Sequence, residues 1–164
     1  MAIHPFDYLT FLGEIAVTLI GFVAVFLVLS NREGRFDAAD RHFIQAMVVS
    51  ASLSIMLAII PSVLSYFAFD ASLWTAASLV AAVVGLPVLI LQLKIQFSMS
   101  DQEAAKIHWG WHVTAWTMGG LAYLLVVAGS TTIADPATMF VSSASLLTML
   151  ALWSFIAVVF RKFF

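Results

Sequence analysis

The sequence predicts an all-α integral membrane protein: a single transmembrane domain over residues 1–164, built as a five-transmembrane-helix bundle with its N-terminus outside and its C-terminus cytoplasmic. Three observations carry that expectation. The chain is 63% hydrophobic and 10% charged, with mean hydropathy +1.06, whereas a soluble domain is about half apolar and a quarter charged. It contains five apolar stretches of the ~20 residues that a helix needs to cross the hydrocarbon. All seven basic residues fall on one side of a five-span alternation.

The spans are read as residues 8–30, 43–69, 73–93, 109–132 and 138–160. The first follows MAIHPFDYL, which lacks the basic n-region of a secretory signal, and it is longer than an h-region, so it reads as a retained helix. Short polar breaks separate the others: NREGRFDAADR, a turn at Asp70, KIQFSMSDQEAAK and IADP. A side chain able to accept from the unpaired N–H groups of a first helical turn precedes each span: Asp7, Asp37, Asp70, Ser100 and Asp135. Ser100 with Glu103 forms a capping-box pattern, so the fourth helix is expected to begin before it enters the membrane near Trp109. Asp135-Pro136 places proline where its missing N–H costs nothing.

Arg32, Arg35 and Arg41 lie between spans one and two, Lys94 and Lys106 between three and four, and Arg161 and Lys162 after five. The positive-inside rule makes that side cytoplasmic, which implies a multi-pass protein of the cell (inner) membrane. Trp109, Trp111 and Trp153 suit the interfacial belt on the basic side, and Trp74 the opposite one.

Lipid does not drive apolar helices together, so contacts rely on small and polar side chains. Ser50, Ser54, Ala58 and Ser62 repeat every four residues on the second helix, Ala77, Ala81 and Gly85 on the third, and Ala115 and Gly119 on the fourth. These seams read as helix-packing faces. Pro61 and Pro87 each remove a helical hydrogen bond and are expected to kink their helices.

The first helix carries the residues of most interest. At 100° per residue, Thr10, Glu14, Thr18, Gly21, Val25 and Asn31 are read as one stripe, while Leu12, Ile15, Leu19, Phe22, Val23 and Phe26 cover the far side. A membrane helix with such a polar face is expected to set it against a neighbouring helix or water. Of nine acidic residues, Glu14 alone falls within a span, at ~1.5 Å per residue about 9 Å below the boundary counted from Tyr8. An isolated charge at such a site costs on the order of 2–3 kcal/mol or more. Glu14 is therefore either a neutral side chain hydrogen-bonded to another helix or an ion or proton site.

His108 and His112 stand one turn apart on the fourth helix. Two ligands fall short of the four a structural zinc site needs, so no metal is expected there. Imidazole titrates near neutral pH, so the pair reads either as pH modulators at the cytoplasmic mouth or as ordinary interfacial histidines. Gln92, Gln96 and Gly85 share a face of the third helix and, with Gln45 on the second, are read as an inner vestibule or as amides bonded to headgroups and loops.

No cysteine is present, which excludes disulfides and thiol chemistry. The sequence contains no HExxH, GxSxG, Walker A or Rossmann pattern, so neither an enzyme nor a cofactor is expected. A net charge of −2 gives no footprint for nucleic acid. The expected function is a small homo-oligomeric channel or pore in the lipid bilayer that conducts an inorganic cation or proton. Its ion pathway would use Glu14, Thr10, Thr18 and Gly21, with His108 and His112 modulating and Gln92 and Gln96 at the inner vestibule. The alternatives are a proton-coupled small transporter and a noncatalytic partner or assembly subunit of a larger membrane complex.

Overall fold

The computed structural model describes residues 4–31, 38–67, 73–98, 109–131 and 135–163. All regular structure among them is helical: α1 (Pro5–Asn31), α2 (Ala38–Ser65), α3 (Leu73–Ser98), α4 (Trp109–Gly129) and α5 (Pro136–Phe163). Each is long and apolar enough to cross a membrane. The five expected spans are therefore present as helices.

Their ends follow from local chemistry. Asp135 caps α5: its Oδ2 accepts the Thr138 backbone N–H at 2.9 Å and the Thr138 hydroxyl. That hydroxyl bond, and next the backbone bond, hold the Asp135 carboxyl below its ordinary range. The cap is accordingly complete above the unfolded carboxylate pKa of about 3.9 and is lost as pH falls through the lower folded value. Asp7, expected as the cap of the first helix, is instead inside its first turn. Pro5 occupies the start, where its fixed φ is already helical, and Tyr8 N–H donates to the His4 carbonyl at 3.2 Å. The second helix starts five residues earlier than expected and ends at Ser65, where Ser65 Oγ donates to the Ser62 carbonyl. The expected caps Asp37, Asp70 and Ser100, together with Glu103, lie outside the described residues. Pro61 and Pro87 sit inside continuous helices.

α5 is the central helix and packs against all four others. Its small residues explain this: Ser143, Ala144, Ala151, Ser154 and Ala157 are buried, letting neighbouring backbones approach. α1 packs on α2 and α5, and α3 packs on α2, α4 and α5. The hydroxyls of the seams bond across helices. Ser54 Oγ and Thr148 Oγ1 share a 2.6 Å hydrogen bond, and both hydroxyls also reach the Ala144 carbonyl, at 3.4 and 3.0 Å. Ser143 Oγ donates to the Ala122 carbonyl of α4 at 2.8 Å. Small residues also set the closest approaches. A Cβ at Gly13 would stand 3.1 Å from Ala58 Cβ, and one at Gly129 would stand 2.7 Å from Ser78 Oγ and 3.2 Å from Met139 Cβ.

Aromatic contacts show the helices alternating in direction. Trp74 touches Phe6 and Phe140, with ring centroids 5.2 and 5.9 Å apart, which brings the starts of α1, α3 and α5 to one end. At the other end, Trp111 meets Phe43 at 5.1 Å and Trp153 at 4.9 Å. There the start of α2 is tied to the end of α5 by an ion pair, Arg161 Nε to Asp40 Oδ1 at 3.3 Å. Asp40 is 1% exposed, and the Arg161 guanidinium also lies 6.0 Å from the Phe43 ring centroid. Trp74 thus stands at one end of the bundle and Trp111 and Trp153 at the other, while the Trp109 side chain lies outside the described residues.

Candidate functional site

α1 lies at the edge of the bundle with its faces assigned unusually. Leu9, Leu12, Ala16, Leu19 and Val23 are buried against α2 and α5, at alternating spacings of three and four that form one helical seam. The polar stripe points the other way. Thr10, Glu14, Thr18 and Gly21 are all exposed. A Cβ at Gly21 would meet nothing within 4 Å. The sequence leads one to expect a helix or water against this face, and no described helix of the chain covers it.

The stripe presents oxygen atoms outward. Thr10 Oγ1 donates to the Phe6 carbonyl at 2.9 Å and Thr18 Oγ1 to the Glu14 carbonyl at 2.8 Å. Each hydroxyl proton is spent on its own helix, leaving lone pairs to face out. Glu14 makes no ion pair among the described residues. Nine residues after Pro5, at ~1.5 Å per residue, it sits about 14 Å along the axis. Val25 of the stripe is exposed too, as are Phe11 and Val28 beside it, and Phe22, expected on the far side, is exposed rather than packed in the seam.

A second feature is internal. α2, α3, α4 and α5 line a partly open cavity of about 140 Å³. No residue of α1 lines it, so it is separate from the Glu14 stripe. His42, Gln92 and His112 stand at its basic end, with the two imidazole centroids 5.3 Å apart. Leu53, Leu57, Leu147 and Leu150 line it alongside Trp116 and Tyr123. Gln92 and Gly85 do share the cavity wall, whereas Gln45 does not line it. The Gln96 side chain and all of His108 lie outside the described residues. His112 faces this cavity and not the α1 stripe.

The sequence reading missed His42 and the pairing of Asp40. Placing the second span's start at Phe43 left both in the loop. The signal was present: His42, Ala46, Ser50, Leu53 and Leu57 recur at helical spacing and continue the small-residue seam into the cavity wall. Among the described residues, no three His, Asp or Glu side chains converge as a metal site. Comparisons with protein-family models, curated proteins and solved structures find no match to this chain.

Proposed function

We propose that the protein is a small oligomeric membrane channel, conducting cations or protons, whose copies meet through the outward face of α1. The observation that carries this reading is the exposed Glu14 stripe in the middle of a membrane-crossing helix. A bundle edge facing only lipid would turn Glu14 inward, because a charged carboxyl in hydrocarbon costs several kcal/mol (about 2–3 or more). Symmetric assembly around α1 supplies what the protomer lacks: it gathers the carboxylates into a ring, and rings of Glu select cations. Thr10 and Thr18 add acceptor oxygens along the path, and Gly21 lets helices approach closely.

The same face could answer a cation on a larger membrane partner, the reading of an assembly subunit. A proton-coupled transporter working within one protomer is less favoured, because Glu14 does not line the internal cavity. In all three readings the end carrying Arg41, Lys94 and Arg161 is cytoplasmic. With no native cysteine, topology is directly testable. A cysteine beside Asp70 or Asp135 will react with an impermeant thiol reagent in intact cells, and one beside Glu33 or Gln102 will not; labelling at Glu33 contradicts the orientation.

Assembly is tested by oxidative cross-linking in native membranes. Gly21→Cys will form disulfide-linked copies of the chain, while Val83→Cys, on the exposed face of α3, will stay monomeric. Cross-links of Gly21→Cys to a different protein support the partner reading, and no cross-link at all rejects assembly through α1.

A further inference from the structure

The internal cavity has a polar end and an apolar body. His42 lies four residues into α2, Gln92 six residues before the end of α3, and His112 three residues into α4. All three therefore stand within about two turns of the basic end. Beyond them the walls are Leu53, Leu57, Leu147 and Leu150. The Gln92 side-chain nitrogen is buried and has no hydrogen-bond partner among the described residues. A buried donor left unmade is costly, and buried polar groups are normally satisfied.

Size narrows the occupant. The cavity measures about 140 Å³, close to the ~150 Å³ of engineered apolar cavities that take up benzene. Water suits the polar end and the surroundings of the Ser50, Tyr123 and Ser143 hydroxyls, since a bound water needs two to four polar partners, whereas the wall made by Leu53, Leu57, Leu147 and Leu150 offers none. An apolar ring fills the inner part but leaves Gln92 unanswered. A ring carrying one oxygen meets both requirements. Its oxygen would accept from the Gln92 amide and share a hydrogen bond with an imidazole at headgroup level, while its body lies among the leucines.

We propose that this cavity is a binding site for a small phenol-type amphiphile, a single apolar ring bearing one hydrogen-bonding oxygen, entering oxygen-last from the leaflet at the basic end. The site is distinct from the α1 face, and it stands or falls independently of channel assembly.

The test uses the full chain in lipid nanodiscs, labelled at histidine Cε1 and titrated with p-cresol or its near-isostere p-xylene. Resonances are assigned by single His→Gln substitution. The His42 and His112 signals will shift saturably with p-cresol, while His4, at the opposite end of the bundle, stays fixed. p-Xylene will bind roughly fivefold more weakly, the size of effect one hydrogen bond contributes. Gln92→Leu will shrink that preference. Gly120→Leu will abolish the saturable shift, because Gly120 lines the cavity and a Cβ there meets nothing within 4 Å, so the new side chain occupies the space without a clash at its root. Equal binding of the two compounds overturns the assignment of the polar end. Shifts shared equally by His4, or unchanged in Gly120→Leu, show partition into the bilayer only and overturn the site.

Discussion

Glu14→Gln will leave the five-helix fold and its assembly intact and lower cation conductance roughly tenfold or more. The fold survives because Glu14 is exposed and makes no ion pair among the described residues. The current falls because a unit charge 4 Å from a permeating cation is worth about 4 kcal/mol at an effective dielectric of 20, and each factor of ten needs only ~1.4 kcal/mol. Glutamine keeps the size and the hydrogen-bonding atoms, so the substitution isolates the charge. Ion flux into liposomes holding purified wild type or variant, with assembly checked by size-exclusion chromatography, reads the effect. Were Glu14 a neutral structural residue, Glu14→Gln would conduct as wild type does, and Glu14→Leu would instead destabilise by about 1–3 kcal/mol through partners left unpaired.

The other large effect is on stability. Arg161→Leu removes the cation paired with the Asp40 carboxylate, which is 1% exposed at the α2–α5 junction. Removing one member of a buried pair typically costs about 3–5 kcal/mol. Arg161 is itself 34% exposed, so solvent softens the loss to roughly 2–4 kcal/mol. Replacing both partners with leucine recovers most of it, because no orphan charge remains. Thermal unfolding in detergent of the wild type, the two single variants and the double variant gives the coupling energy directly. Additive losses would show that the ion pair is not a structural clasp.

Most of the fold was legible because lipid imposes few rules and this chain obeys them. Span length, caps and basic residues place five helices with alternating direction, and the Asp135 cap and the Trp74 belt residue appear where local chemistry puts them. Sequence periodicity also marked Glu14, Thr10, Thr18 and Gly21 as one face of α1. It could not say which way that face points. Amphipathicity is a property of one helix, whereas inward or outward depends on which partner the seam Leu9, Leu12, Ala16, Leu19 and Val23 finds. The centrality of α5 was likewise hidden. Its small residues are scattered among Leu, Met and Phe, and their common face emerges only when α2 and α4 close on it. His42 and the Asp40–Arg161 pair were lost for a simpler reason. They lie at a helix start where charged and polar residues read as loop, and an ion pair spanning 121 residues leaves no local trace.

In the proposed channel, the outward face of α1 borders an aqueous cation path in an assembly of this chain. Gly21→Cys tests it most directly, since the protein has no other thiol and a cysteine there meets open space. In a conducting bilayer, a water-soluble cationic thiol reagent added to the Gly21→Cys protein will block current progressively and irreversibly, while the wild type and Val83→Cys stay unaffected. Full current through Gly21→Cys after prolonged exposure, at a reagent dose that modifies a lumenal or loop cysteine completely, would contradict the account.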